Sequence, residues 1–402
     1  MKNKLIFEFS KDHTDGNASM VNLLGGKGAN LAEMSNLGIS VPPGFTITTE
    51  ACNYFMENNE LPDTLETEII NAVSKLELYS GLSFDGKSNP LLLSVRSGGR
   101  ISMPGMMDSI LNIGLNDGNI NSLVEQFNDE RFALDSYRRL IQMYSNVVLG
   151  LDYSRFEAVI ENKKRIDNVS SDKDFTPDQL NWIIDAYKNT IERFSDVPFP
   201  QDPIEQLNGA VKAVFSSWLN IRAINYRKFN NIPDEWGTGA TIQTMVFGNL
   251  NNNSGTGVAF TRNPSDGKKE LFGEYLLNAQ GEDVVAGIRT PKPISKHKTV
   301  KESLQDTFPD IYNEISNIAK TLESHFKEVQ DIEFTIQDQK VYLLQTRKAK
   351  RTAQASVNIA IDMESEGVVT KEEAIMMVDA DTITCLLYTS DAADEGLGVD
   401  LG

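Results

Sequence analysis

The chain has 402 residues, 40 % hydrophobic and 24 % charged, values that suit a soluble globular protein of two or three compact units. Its formal net charge is −19, with 57 acidic against 38 basic side chains, and that excess opposes binding to nucleic acid or to an anionic membrane. The opening MKNKLIFEFSKDHTDG lacks the apolar run of a signal peptide, and no stretch reads as a bilayer span. Two cysteines, Cys52 and Cys385, support neither a disulfide framework nor a metal cluster, so a reducing, cytoplasmic compartment is expected.

In residues 1–108 strand-like and helix-like pieces alternate. Leu5–Phe9 is a short strand candidate, and NLLGGKGANLAEMSNLG is a glycine turn feeding a helix that Gly38 stops. FTITTEACNYFMEN reads as a strand running into a helix, and LLLSVRSGG as a buried strand ending in a glycine loop. From Asp129 to Asn230 apolar residues recur at three- and four-residue spacing, in RFALDSYRRLIQMYSNVVLG and IEQLNGAVKAVFSSWLNIRAINYRKF, which predicts helices. Polar Lys163 to Asp174 reads as an exposed connection between them.

From Gly239 the pattern turns to strands: TIQTMVFG, GVAFTRN, LFGEYLL, DIEFTI and VYLLQTR. One helix interrupts them, with Ile311, Ile315, Ile318, Leu322 and Phe326 on a single stripe. After Arg351, ASVNIAIDMESEG and TKEEAIMMV read as a helical connecting arm. The reading is therefore an α+β protein of several subdomains around a cleft: 1–108 α/β, 109–238 mostly helical, 239–348 strand-rich and 349–384 a helical linker. Residues 385–402 carry four acids, no Lys or Arg and no period, and resemble a translated sequencing adapter, so they are set aside from the fold.

Three motifs carry candidate chemistry. In Gly25-Gly26-Lys27-Gly28 a glycine pair allows close backbone approach to an anion, and a helix start offers free N–H groups beside Lys27. An exposed turn with a solvated lysine is the commoner use of such glycines. In Ser94–Asp108, Arg96 and Arg100 flank mobile glycines and could clamp a polyphosphate, with the methionines of Met103-Pro104-Gly105-Met106-Met107 beside an adenine. A surface loop whose methionines fill a core gap is an equal alternative.

The third motif pairs Asp331-Ile332-Glu333 with Gln345-Thr346-Arg347. If the hairpin loop is Asp338-Gln339-Lys340, Glu333 lies opposite Gln345 and Asp331 opposite Arg347. Two carboxylates and an amide oxygen would then suit Mg2+, with a guanidinium near phosphate. A charged solvent face is the bland alternative. Gln243, the Gly255-Thr256-Gly257 turn and Glu274 are weaker candidates in the same late region, and His13, His297 and His325 show no catalytic or metal pattern.

NLLGGKGANLAEM, LLLSVRSGGRISMPGMMDSILNIGLND, RFALDSYRRLIQMYS, TIQTMVFGNLNNNSGTGVAFTRNPSDG, GEYLLNAQGEDVVAGIRTP and DIEFTI…VYLLQTR resemble, in order, the pyruvate, phosphate dikinase family. The resemblance reaches about Asp381 and implies an ATP-grasp-type nucleotide-binding domain, with ATP held between closing subdomains. It further implies Mg2+, inorganic phosphate as a second ligand, and transfer of the β-phosphoryl group of ATP to a histidine on a central domain. That histidine would serve pyruvate in a distant barrel, in a homodimeric enzyme yielding AMP, diphosphate and phosphoenolpyruvate.

By the same resemblance Lys27, Arg96 and Arg347 are catalytic contacts to the phosphates, and Arg347 with Arg139 handles the γ-phosphate or inorganic phosphate. Asp331, Glu333 and Gln345 would hold the metal and ATP. Gln243, Thr256, Gly257 and Glu274 match other cleft positions, and Gly105 and Met107 match the closing loop. The family's Thr-Ser-His motif is absent from this sequence, so the chain is expected to bind Mg-ATP without completing the cycle. A free-standing ATP-binding or regulatory module is the alternative.

Overall fold

The computed structural model describes residues 4–380 except 85, 87, 286–288 and 297–301, together with residue 383. The adapter-like segment and His297 lie outside the described residues. The chain forms two compact units, Met1–Val246 and Phe247–Gly402.

The first unit is built on β1 (Ile6–Phe9), β2 (Gly44–Ile47), β3 (Leu93–Gly99), β4 (Ser109–Ile113) and β5 (Thr238–Thr244). These pair antiparallel in the order β1-β2-β5-β3-β4. The strand expected to open a third, strand-rich region at residue 239 is thus the centre of the first sheet. Every residue of β5 is buried. A short β-branched run declares itself a strand in sequence but says nothing of its partners, which here lie far back in the chain.

The helical region is inserted between β4 and β5. Four of its helices begin at side-chain caps, among them two cases: Asp129 accepts from Phe132 N before Glu130–Val147, and Thr176 and Gln179 form a capping box around Pro177–Phe194. Helix Pro203–Ser216 contacts β3, β4 and β5 through a stripe that includes Leu207, Ala210, Val211 and Val214, all fully buried. The expected exposed connection is shorter than 163–174, because helix Tyr153–Asp167 runs on to Asp167. Lys163 pairs with Asp167 at 2.9 Å and Lys164 with Glu161 at 2.9 Å, so charge spacing continues the helix where apolar spacing lapses.

The second unit holds β6 (Gly255–Phe260), β7 (Phe272–Leu277), β8 (Lys292–Pro293), β9 (Gln330–Gln337) and β10 (Lys340–Lys348), in the order β10-β9-β6-β7-β8. Along β9, Ile332, Phe334 and Ile336 alternate to a wholly buried face. Helix Pro309–Phe326 packs on β9 and β10, burying Ile311, Ile315, Ala319 and Leu322.

The helical arm expected over 349–384 is part of this unit's core. Ala355, Ile359 and Met363 of helix Ala353–Ser365 cluster with Val329, Ala349, Val369 and Ala374. Arg262, fully buried, ties the arm down by pairing with Glu323 at 2.8 Å and Glu366 at 2.7 Å. Among the described residues no helix is long and apolar enough to cross a membrane.

Candidate functional site

In the first unit the helical run Val21–Asn36 breaks at Gly25, whose φ of 68° lies in the left-handed region. A fresh helix therefore starts at Gly26 and carries Lys27 in its first turn. A Cβ on Gly25 would run into the carbonyl oxygen of Gly98, and one on Gly98 would meet Lys27 Cβ at 3.2 Å. Two bare backbones thus let the helix start abut the end of β3. Lys27 Nζ donates to the carbonyl of Ser97 at 2.9 Å, one residue from Arg96. Arg96 shares a row with Thr241 and Thr46, and Gly28 fits against the Thr46 side chain, so this helix covers the sheet face on which Arg96 lies.

The glycines after Arg96 are not a loop. Gly98 and Gly99 stay paired with Gly239 and Thr238 of β5, and Gly98 N donates to Thr238 Oγ1 at 3.1 Å. Arg100 lies over the Trp236 ring, 5.2 Å from its centroid. Met103 is buried with Trp218, Ala223 and Ile232, and Met106 and Met107 pack against that cluster, so the methionines fill a core gap. Gly105, with φ 68°, has open space where a Cβ would stand. Gln243 belongs to β5 rather than to the late region, and its buried Nε2 donates to the Pro42 carbonyl at 3.0 Å.

Arg139 lies on helix Glu130–Val147, where its Nε donates to Asp135 Oδ2 at 3.0 Å. Asp135 Oδ1 accepts from Arg138 Nε at 2.9 Å. Burial alone would raise the Asp135 carboxyl, but the two guanidiniums hold it well below the usual carboxylate range. Asp135 and Arg138 do not figure among the sequence candidates, although acid and base three and four apart on a helix are a legible signal.

In the second unit the turn between β9 and β10 has two residues rather than three: Asp338 and Gln339, with φ 47° and 65°. Alone, that shorter turn would move every later β10 residue by one partner. A bulge between Leu343 and Gln345 restores the count, so Gln345 lies opposite Glu333 and Arg347 opposite Asp331, as the longer loop would have given. Val258 lies opposite Glu333, and Glu274 opposite Val258. Directly opposed residues share a sheet face, so Gln345, Glu333, Val258 and Glu274 form one row across four strands. Arg347, Asp331, Phe260 and Phe272 form the next.

Arg347 Nε donates to Asp331 Oδ2 at 2.8 Å. Burial raises the Asp331 carboxyl above its ordinary value and Glu333 adds to the rise, while Arg347 opposes it. Thr256 Oγ1 donates to the Phe334 carbonyl at 3.1 Å, and Gly257 leaves room for the Phe334 ring where a Cβ would stand. His13 pairs with Asp15 at 3.0 Å, and His325 is exposed at the end of helix Pro309–Phe326.

The donor chemistry of this face suits a hard cation. Asp331, Glu333 and Gln345 offer oxygen atoms from one side of the sheet, and burial already disfavours the charge of Asp331 without a further counter-ion. Among the described residues no group of three His, Cys, Asp or Glu side chains could hold a metal, so the amide of Gln345 would have to complete the set.

The chain matches the family described as pyruvate phosphate dikinase, AMP/ATP-binding domain, over residues 21–77, 56–311 and 292–368. It belongs to that family, and its α+β architecture of helices with two antiparallel sheets is of the ATP-grasp type. It is 51 % identical to a pyruvate, phosphate dikinase of Rickettsia prowazekii (strain Madrid E) over 397 residues, 98 % of this chain and 45 % of that one. To the enzyme of the same name from Clostridium symbiosum it is 50 % identical over 387 residues, covering 96 % and 43 %. To pyruvate, phosphate dikinase 2 of Zea mays it is 47 % identical over 384 residues, covering 95 % and 43 %. The chain spans less than half the length of these relatives.

Proposed function

We propose that this chain is the nucleotide-binding part of a pyruvate, phosphate dikinase: it binds Mg-ATP and presents the β-phosphoryl group for transfer to a histidine elsewhere in a longer enzyme. The full reaction would convert ATP, inorganic phosphate and pyruvate into AMP, diphosphate and phosphoenolpyruvate. The observation that carries the reading is the row of Gln345, Glu333 and Glu274 beside the Arg347–Asp331 pair, in a chain of this family.

In this reading Lys27 and Arg96 contact the phosphates and stabilise charge that develops on the transferred group. Arg347 and Arg139 hold the γ-phosphate or inorganic phosphate, and Asp331, Glu333 and Gln345 would hold Mg2+. Bound magnesium would offset phosphate charge, which is how a chain of net charge −19 can take up ATP. Gln243, Thr256, Gly257 and Glu274 would shape the surroundings of the nucleotide, and Gly105 and Met107 the loop beside it.

Titration calorimetry of the 402-residue chain with Mg-ATP tests this. Lys27→Ala and Glu333→Ala should each weaken binding by about 10-fold or more, as expected for loss of a charge-assisted contact. Wild-type affinity in both single variants would end the proposal.

A further inference from the structure

Two arginines of the first unit lie over tryptophan rings, and they are finished differently. Arg227 stands 4.2 Å from the Trp218 ring centroid and is buried to 1 % exposure. Its Nε donates to Asp234 Oδ1 at 2.7 Å, and its Nη1 donates to the Trp218 carbonyl. That arginine joins helix Ile221–Phe229 to the turn before β5, and its charge is met. Arg100 stacks on Trp236 in the same manner, 5.2 Å from the ring centroid. Among the described residues, however, no carboxylate forms an ion pair with Arg100 and no acceptor takes its buried Nε–H. Asp234, two residues from Trp236 in the chain, is engaged by Arg227 instead.

A ring face attracts a cation without neutralising it, so Arg100 keeps its full charge. A buried N–H without an acceptor costs the folded state free energy. Arg100 is therefore a poor device for holding the fold together, and local disagreements of this kind concentrate where a protein binds or reacts. Its place gives it a use. Arg100 follows β3 directly, four residues after Arg96, which is about 13 Å of extended strand. Its carbonyl lies 3.6 Å from where a Cβ on Gly26 would stand, so its main chain borders the helix start that carries Lys27. The residue is only partly buried.

We propose that Arg100 is a further binding residue for the phosphate chain of Mg-ATP, its guanidinium held by the Trp236 face and its charge left for a ligand oxygen. The inference rests on the reading of the chain as a nucleotide-binding unit with Lys27 and Arg96 as phosphate contacts.

The test is calorimetry of the full chain with Mg-ATP at low and at high salt, together with thermal melting. Arg100→Met keeps a side chain on Trp236 and removes the charge. Its affinity at low salt should fall by about 10-fold, while its melting temperature should not fall. Because the lost contact is one of charge, its affinity should depend less steeply on salt than that of wild type. Arg100→Lys restores the charge, and should recover part of the affinity and of the salt dependence.

If the wild-type chain does not bind Mg-ATP, the nucleotide reading fails and the role of Arg100 with it. If wild type binds and Arg100→Met binds equally well, that reading stands and only the role of Arg100 is overturned. A loss that is the same at both salt concentrations, or that comes with a lower melting temperature, would show a structural stack and overturn it too. So would an Arg100→Lys variant that recovers nothing.

Discussion

Lys27 reaches the end of β3 because Gly25 and Gly98 leave room for a helix start, whereas Asp331, Glu333, Gln345 and Arg347 share a face because two strands pair in one register. The first arrangement depends on atoms that are missing. The second depends on a count of residues, corrected once by a bulge. A contact between bare backbones tolerates almost no added volume, while a ladder spreads its tolerance over many hydrogen bonds. The two units should therefore fail differently when disturbed.

The largest expected effect is in the first unit. Gly25→Ala places a Cβ against the Gly98 carbonyl at a φ that alanine disfavours, and should cost about 3 kcal/mol or more by steric overlap and backbone strain. Chemical denaturation of the chain would show it, and an unchanged midpoint would refute the close-approach argument.

The next effect separates stability from binding in the second unit. Asp331 has a raised folded-state pKa, so ionising it costs the folded state more than the unfolded one. Stability from its protonated form is complete below the ordinary carboxylate value and is lost as pH rises through the raised one. Asp331→Asn should therefore melt no lower than wild type at pH 7. That advantage should vanish in acid, while Mg-ATP affinity falls by about 10-fold. A lower melting point at pH 7, with the gap persisting in acid, would contradict the assignment of burial as the dominant cause.

The smallest effect is at the turn. Gln339 holds a φ of 65° in a two-residue hairpin, and Gln339→Gly should stabilise the chain by about 0.5–1 kcal/mol without touching nucleotide binding. A loss of stability there would mean that the side chain of Gln339 contributes more than its backbone costs.

These contrasts also mark what could be read from the residues alone. The pairing of Glu333 with Gln345 was legible because side-chain alternation on strands is local, yet it requires a three-residue loop in an unbroken ladder, where a two-residue turn and a bulge stand. Two errors of one residue cancelled. The glycines after Arg96 looked like a loop because glycine is common in loops, but their use is to admit another backbone, which composition does not reveal. Helix positions of Ile311, Ile315 and Leu322 followed directly from spacing. The placement of β5, and the docking of helix Ala353–Ser365 into a core, depend on partners remote in sequence, where periodicity has no reach.

The central place of β5 has a consequence for synthesis. Without it the first sheet is two separate hairpin-like pairs, β1 with β2 and β3 with β4, each too small to be stable in water. The strand that joins them emerges about 190 residues after β2, a delay of roughly 10–40 s at ordinary translation rates. Through that interval the open edges of β2 and β3 must be shielded by nascent helices or by chaperones, and ribosome-bound chains stalled before residue 238 should be the aggregation-prone species.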